Sequence, residues 1–193
     1  MKTLALAAEA GDEPEGRDST LEAARAGDRA AFDLLMRRYE RLVLGTAYRL
    51  AGNLEDAQDA SQEVFLRLYR NLARLDTGNL AAWLYRVTVN VCHDMRRRRP
   101  TTVSVDDAAE LAAAGGDPQQ RAGEAERRAL LLRGLRMLSE KERAALVLRD
   151  LEGLSTAEVA GVLGSSVATV RSQISKARLK VRDFVERYSR RRL

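Results

Sequence analysis

The chain has few residues of the kinds that build disulfides, ring-rich cores or membrane spans. Of its 193 residues, one is cysteine, one is histidine and 5% are aromatic. The single Cys92 cannot form a disulfide within the chain, which favours a reducing compartment and a role as a small core residue. No run of about twenty apolar residues occurs, as a membrane span would need, and the apolar residues 4–8 are too few for a signal peptide. We therefore expect a cytoplasmic protein with no membrane insertion.

Long alternation of apolar and polar residues is also missing, and this absence argues against a β-sheet. Apolar residues, 45% of the chain, instead recur at spacings of three and four, which is typical of helices. We predict an all-α fold of two small helical domains joined by a flexible acidic linker. The predicted segments are a disordered acidic leader at 1–18, a first domain at 19–100, a linker at 101–124 and a second domain at 125–193.

Capping residues and helix breakers predict where the helices begin and end. In the first domain the predicted helices cover residues 19–26, 28–51, 54–73 and 79–99. In the second domain, Ser139 with Glu142 and Ser155 with Glu158 both have the spacing of a capping box.

No arrangement for catalysis is visible in the sequence. The only histidine, His93, lies beside an arginine run, and no nucleophile is paired with a base. Asp56, Asp59 and Glu63 do share one helix face, but a di-iron type site would need Glu-x-x-His partners that are missing. That face is either solvated, with intrahelical ion pairs, or a docking surface for a basic partner. We expect no catalytic residues, no metal, no cofactor and no small-molecule substrate.

Residues 154–185 indicate a helix-turn-helix. The capping box at Ser155 starts the first helix, and Gly164 provides the positive φ that ends it. In the second helix, one side is apolar and the other combines short polar side chains with cations (Arg171, Ser172, Ser175 and Lys176). Residues 171–192 contain nine Lys or Arg and two acidic residues, a balance of 9 − 2 = +7. Such a face suits the major groove, although a solvated helix of an ordinary bundle is the alternative.

A second basic surface lies at the end of the first domain. Arg86, Asn90, His93 and Arg97 share one side of the helix at 79–99, and residues 96–99 are all arginine. These cations either contact phosphates or complement the helix dipole before Pro100. Trp83 on the same helix either stacks on an unpaired base or, as a single tryptophan at helical spacing more often does, packs in the core.

Three motifs resemble those of bacterial RNA polymerase sigma factors of the extracytoplasmic function (ECF) group. The sequence DAQDASQEVFLR at 56–67 is similar to region 2.2 of that family. The sequence WLYRVTVN at 83–90, with Asp94 and residues 96–99, is similar to regions 2.3 and 2.4, and residues 154–178 are similar to region 4.2. The resemblance covers residues 19–188 and implies a region 2-like bundle followed by a region 4-like helix-turn-helix.

The resemblance also implies partners and roles for individual residues. Contact with the clamp coiled coil of the largest subunit of core RNA polymerase is implied for Asp56, Asp59, Gln62 and Glu63. Melting and holding the minus-ten promoter element is implied for the loop 75–80 and for Asn79, Trp83, Arg86, Asn90, Arg96, Arg97, Arg98 and Arg99. Reading the minus-thirty-five element as duplex is implied for Thr169, Arg171, Ser172, Ser175, Lys176 and Arg178. An anti-sigma factor is the expected regulator.

The chain departs from the family at Ala168 and Gln173, where Gly and Arg are frequent, so its promoter preference stays open. Two other functions fit the sequence less completely. One is a stand-alone helix-turn-helix repressor or activator, with residues 19–99 as a dimerisation or sensor domain. The other is an interaction module that titrates an inhibitor and never touches DNA.

Overall fold

The computed structural model describes residues 19–75, 79–98 and 118–190. Every regular element in these ranges is helical, which confirms the all-α prediction. The α-helices are α1 Ser19–Arg25, α2 Arg29–Ala51, α3 Leu54–Asn71, α4 Leu80–Arg98, α5 Pro118–Arg136, α6 Glu140–Leu146, α7 Thr156–Leu163 and α8 Val167–Arg190. The predicted leader, positions 76–78 of the minus-ten loop, Arg99 and residues 101–117 of the predicted linker lie outside the described residues.

Local capping determines the ends of the first helices. The Asp28 carboxylate accepts hydrogen bonds from the amides of Ala30 and Ala31 at 2.8 and 3.2 Å, and so caps α2. Gly52 ends α2 with φ of 88°, a conformation that glycine adopts without steric cost. Asn53 then caps α3, because its Oδ1 accepts from the amide of Asp56 at 2.7 Å. All three residues act as the sequence predicts.

Two helix boundaries differ from the prediction by more than one residue. Helix α3 ends at Asn71 and continues as a 3₁₀ turn, Leu72–Arg74, where the sequence predicts a helix to residue 73. Helix α5 begins at Pro118, inside the segment assigned to the linker and before the expected domain start at residue 125. Proline suits the first turn of a helix, since the amide that it lacks would have no intrahelical partner there.

Helices α1 to α4 form the first bundle. The predicted buried stripe of α3 is confirmed: Ala57, Ala60, Val64, Leu68 and Leu72 are all buried. They pack on Leu35, Val43 and Ala47 of α2 and on Leu84 of α4. This packing leaves the opposite, acidic side of α3 toward solvent.

Helices α5 to α8 form the second bundle. Helix α6 continues into a π-helical turn, Val147–Leu151, that supplies the buried Val147 and Leu148. Val159 of α7 and Val170 and Ile174 of α8 pack on this turn. The long helix α8 therefore rests on the second bundle by one face only.

The two bundles also pack against each other, which the sequence does not predict. Leu132, Leu135 and Leu138 at the end of α5 belong to the same apolar cluster as Leu35 and Val64 of the first bundle. Conversely, Tyr85 of α4 in the first bundle is buried in a cluster of the second bundle that contains Leu148, Val159 and Ile174. Two apolar clusters, each with residues from both halves, therefore join the two bundles.

Glu142 gives the second bundle a pH-dependent stability. Its side chain, 10% exposed, accepts from the Ser139 amide at 3.0 Å and from Lys180 Nζ at 2.8 Å. The hydrogen bond from Lys180 is the main reason that the pKa of Glu142 lies below its usual value. A lowered folded-state pKa stabilises the fold above the unfolded-state pKa, and the effect is lost as the pH falls through the folded-state pKa.

The variant Glu142→Gln should therefore lower stability by about 1 kcal/mol at neutral pH, because glutamine keeps the capping geometry but not the charge. The difference in stability between this variant and the parent should vanish at pH values below the lowered pKa of Glu142. Urea denaturation at neutral and acidic pH measures both values. Glu186→Gln, on the exposed side of α8, is the control and should change neither. A gap that persisted in acid would contradict the assignment.

Candidate nucleic-acid interface

The turn between α7 and α8 is built from local hydrogen bonds. The Ser155 amide donates to Glu158 Oε2 at 2.6 Å, and the Glu158 amide donates to Ser155 Oγ at 3.2 Å. These bonds hold the pKa of Glu158 below its usual value. Gly164 ends α7 with φ of 58°, and its amide donates to the Ala160 carbonyl. The structure thus confirms the capped first helix and the glycine turn of the helix-turn-helix.

Helix α8 presents the polar face that the sequence predicts. Val170, Ile174 and Ala177 are buried. The exposed side carries Arg171, Ser172, Ser175 and Lys176. Short hydroxyl groups between two cations can donate to and accept from base edges while the cations meet phosphates.

Two other predicted residues of α8 already have partners within the chain. The amide and the hydroxyl of Thr169 both bond to Ser166 Oγ, at 3.1 and 2.8 Å, at the start of the helix. The guanidinium of Arg178 donates to both carboxylate oxygens of Asp150, at 2.8 and 2.6 Å, which raises its pKa further. Arg178 is therefore fixed in place by the π-helical turn, unlike Arg171 and Lys176.

Helix α4 carries the second basic surface. Asn79 accepts from the Ala82 amide at 2.8 Å and so caps this helix. Trp83 is half-buried and packs against the core of the first bundle, which fits the core interpretation of this residue. Arg97 and Arg98 are exposed in the last turn, where cations also complement the helix dipole.

The remaining predicted residues of α4 face the second bundle. Arg86 donates to the Gly161 carbonyl of α7 at 2.7 Å. Arg96 lies 3.6 Å and His93 3.0 Å from the Glu140 carboxylate of α6. These contacts join the two bundles through side chains that were predicted to bind DNA.

A cavity of about 350 Å³ lies between α4, α6 and the α7–α8 turn. Asn90, Cys92 and Arg96 line one wall, and Thr169 and Gln173 line the opposite wall. Burial raises the pKa of the Cys92 thiol to about 12, and the neighbouring Asp56 carboxylate adds to this effect. The predicted minus-ten and minus-thirty-five residues thus meet across one cavity.

Helix α3 carries the predicted acidic face. Asp59 and Gln62 are exposed. Asp56 accepts from Asn53 Nδ2 at 2.7 Å, and Glu63 pairs with Arg67 at 2.7 Å. In the described parts of the chain, no group of three or more His, Cys, Asp or Glu could hold a metal ion. Nor does any helix described there combine the length and apolar character that a bilayer crossing needs.

Sequence reasoning missed Arg143 and Glu152, which join the two bundles. Arg143 is 2% exposed and donates to the carbonyls of Leu135 and Leu50, at 2.9 and 2.8 Å. Glu152 accepts from Arg49 at 2.8 Å and from Tyr85 at 3.3 Å. The sequence offers one signal that Arg143 faces inward. Arg143 directly follows the capping-box residue Glu142 and precedes two alanines.

Comparison with known families matches both halves of the chain. The sigma-70 region 2 family model matches residues 35–101, which span most of α2 and all of α3 and α4. The sigma-70 region 4 family model matches residues 126–181, which contain α7 and the greater part of α8. The two matches occur in the same order as the resemblances in the sequence.

Relatives and solved structures agree with these matches. The ECF RNA polymerase sigma factor SigE of Mycolicibacterium smegmatis is 37% identical, over 94% of this chain and 72% of its own length. The ECF RNA polymerase sigma-E factor of Escherichia coli is 34% identical, over 89% of this chain and 95% of its own length. The structure of CnrH in complex with the cytosolic domain of CnrY covers 87% of this chain and 96% of its own, with a TM-score of 0.65 and 26% identity. With both sigma-70 regions in order, this chain belongs to the ECF sigma factors of RNA polymerase.

Proposed function

We propose that the chain docks on core RNA polymerase and directs it to specific promoters. The first bundle opens the minus-ten element, and the second binds the minus-thirty-five element as duplex. Like sigma factors in general, the protein is a transcription factor and not an enzyme. The observation that carries the proposal is the exposed face of α8, Arg171, Ser172, Ser175 and Lys176, on a capped helix-turn-helix.

Duplex recognition follows from the geometry of α8. A helix fits the major groove, and the buried Val170 and Ile174 hold the opposite side of α8 against its own bundle. Arg171 can then reach base edges while Lys176 neutralises a phosphate. Arg178 has a lesser part in this proposal, because Asp150 already binds its guanidinium at two points.

Opening of the minus-ten element involves α4. The exposed Arg97 and Arg98, with Arg99 after them, suit the phosphates of a single strand. Arg86 and Arg96 suit the same strand once they leave Gly161 and Glu140 of the second bundle, and the exposed Asn90 on the same helix can join them. Capture of an unstacked base offsets a cost of a few kcal/mol, so ATP is not required.

Docking on polymerase involves the acidic face of α3. Asp59 and Gln62 point to solvent, and Asp56 and Glu63 flank them. A row of carboxylates on an exposed helix complements a basic partner and speeds association with it. Because polymerase and chromosome are its partners, the site of action is the bacterial cytoplasm.

An anti-sigma factor is the proposed regulator. One similar structure is a complex of this kind, the sigma factor RpoE with the anti-sigma factor NepR from Bartonella quintana, and in another CnrH is bound to the cytosolic domain of CnrY. RpoE is 22% identical, covers 80% of this chain and 96% of its own, and has a TM-score of 0.65, so its likeness concerns the fold alone. We propose that a protein partner likewise withholds this chain from polymerase.

Run-off transcription with purified core polymerase and a library of genomic promoters tests the proposal. We expect transcripts from a subset of promoters only when the chain is added. No stimulation from any promoter would overturn it. Tight binding of a homodimer to a palindromic site without polymerase would instead favour the stand-alone repressor or activator.

The variant Arg171→Ala should weaken binding of the holoenzyme to a responsive promoter duplex by about 1–3 kcal/mol. The loss arises because an exposed cation that reaches base edges is removed from the recognition helix. Fluorescence anisotropy with a labelled promoter measures the change. Arg182→Ala, also exposed on α8 but beside Asp183 and Glu186 at 3.8 and 3.9 Å, is the matched control and should have a smaller effect. Equal losses for both variants would count against base reading by Arg171.

A further inference from the structure

We propose that Asp150 determines how well the chain distinguishes its promoters from other DNA, because its carboxylate neutralises Arg178 on the recognition helix α8. Without that carboxylate, the guanidinium would be a free cation that binds phosphates of any sequence. The proposal rests on the proposed function, since it takes α8 as the helix that contacts duplex DNA. It adds a specificity-determining residue that lies outside the helix-turn-helix and touches no base.

Arg178 lies where it could reach DNA. It follows Arg171 by seven positions, which places it about two helical turns and 10 Å further along nearly the same side of α8. The side chain of Arg178 is 58% exposed, and duplex DNA carries a phosphate charge for about every 1.7 Å of its axis. A free cation at this position would therefore meet a phosphate whichever sequence lies in the groove.

The Asp150 carboxylate already binds this cation. Its two oxygens accept from Nε and Nη2 of Arg178 at 2.8 and 2.6 Å, the two-point arrangement that joins a guanidinium to a carboxylate most strongly. The pair has no net charge, so it attracts phosphates weakly and releases few counterions from them. Any phosphate that approaches Arg178 also approaches the negative charge of Asp150.

The fold holds Asp150 in position from outside the recognition helix. Asp150 belongs to the π-helical turn, which the buried Val147 and Leu148 anchor in the core. Val170 and Ile174 of α8 pack on Leu148 of that turn. Apolar packing therefore brings the carboxylate and the recognition helix together before any DNA is bound.

Ion pairing divides the cations at positions 171–180 into two groups. Arg171 and Lys176 are exposed, and no carboxylate in the described parts of the chain pairs with them. By contrast, Arg178 and the next cation, Lys180, are both bound by carboxylates that precede the helix-turn-helix. Within these turns, the charge that remains available to DNA is therefore concentrated among the short polar side chains that can read base edges.

Neutralising Arg178 affects wrong sequences more than the right one. Binding to non-specific DNA is essentially electrostatic, and a protein can slide along it, so a free cation has many positions in which to meet a phosphate. In a specific complex, base contacts from Arg171, Ser172 and Ser175 hold the helix in one register. Specificity is the difference between the two affinities, and Asp150 increases it by lowering the non-specific affinity.

The variant Asp150→Asn tests this role, because asparagine keeps the shape of the side chain but not its charge. Holoenzyme would be titrated with two labelled duplexes, a responsive promoter and the same promoter with its minus-thirty-five element scrambled. At about 0.15 M salt, the variant should bind the scrambled duplex about fivefold tighter than the parent does, and the responsive duplex less than about twofold tighter. On the scrambled duplex, the slope of log affinity against log salt concentration should steepen by about 0.9, as expected for one additional phosphate contact.

Asp183→Asn is the matched control. It removes the same charge from an exposed position of α8, where the carboxylate lies 3.8 Å from Arg182, and should leave the ratio of the two affinities as it is in the parent. Asp150→Asn combined with Arg178→Met should lose the gain on the scrambled duplex, because the released cation is then absent.

Two further measurements separate this role from a structural one. Urea denaturation should show similar small losses of stability for Asp150→Asn and Arg178→Met, since both break the same surface ion pair, whereas only Asp150→Asn should gain non-specific affinity. Arg178→Met alone should weaken promoter binding less than Arg171→Ala does. Co-purification with core polymerase should be the same for all these chains.

The role of Asp150 would be overturned by no gain on the scrambled duplex, by equal gains on both duplexes, or by an equal gain in Asp183→Asn. It would also be overturned if Arg178→Met weakened promoter binding as much as Arg171→Ala, because Asp150 would then present Arg178 to DNA. The proposed function is judged on the parent chain, which must join core polymerase and prefer the responsive duplex. If it does neither, titration of the full-length chain alone with a random-sequence duplex still compares the salt slopes of Asp150→Asn and Asp183→Asn.

Discussion

Replacing Asp59 by lysine should abolish binding to core polymerase while the chain keeps its fold. Asp59 is exposed in the middle of α3, and the buried stripe of that helix does not include it. Reversal of a charge at a docking surface places like charges together, which costs several kcal/mol. That cost corresponds to at least a hundredfold loss of affinity, at about 1.4 kcal/mol for each factor of ten.

Pull-down with tagged core polymerase, followed by run-off transcription, measures this loss. Asp33→Lys makes the same charge reversal at an exposed position of the neighbouring helix α2 and should retain both activities. Circular dichroism should show the same helix content for parent and both variants. If Asp59→Lys bound polymerase as tightly as Asp33→Lys, the acidic face of α3 would be a solvated surface, the alternative that the sequence leaves open.

Replacing Arg143 by alanine should destabilise the chain more than any surface substitution. Its guanidinium donates to the carbonyls of Leu135 and Leu50 and makes longer contacts of 3.4 Å with those of Arg136 and Leu138. Burial lowers the pKa of Arg143 to about 10, so the side chain still carries its charge at neutral pH. Its removal leaves a cavity and buried carbonyls without donors, at a cost of about 3 kcal/mol or more.

Urea denaturation at neutral pH measures the destabilisation of Arg143→Ala. Lys141→Ala, exposed on the same helix α6, is the control and should stay within about 0.5 kcal/mol of the parent. Arg143→Lys should recover only part of the loss, because an ammonium group cannot span carbonyls that a planar guanidinium reaches in different directions. A full recovery by lysine would mean that charge alone, and not the fork of donors, is required.

The sequence predicts those features that depend on residues only a few positions apart in the chain. Ser155 and Glu158 are three positions apart, so their capping box can be read from spacing alone. The two faces of α8 follow from helical periodicity in the same way. For this reason the helix-turn-helix and its exposed arginine and serines agree with the structure in detail.

The contacts between bundles have causes far apart in the chain, and the sequence does not predict them. Arg136 and Gly52 are 84 positions apart, and Arg49 and Glu152 are 103 apart. Neither pair can be recognised from sequence spacing or composition, because an arginine can bind any accessible carboxylate or helix-end carbonyl. The same holds for Arg86. The sequence predicts that its guanidinium contacts DNA, whereas in the fold it donates to the Gly161 carbonyl.

Cys92, whose pKa of about 12 reflects its burial, bears on how the protein responds to oxidants. Peroxides attack the thiolate and not the thiol, and at neutral pH this sulfur is almost entirely protonated. The chain has no second cysteine to complete a disulfide. Cys92 is therefore a poor target for peroxide, and no disulfide within the chain can serve as a redox switch.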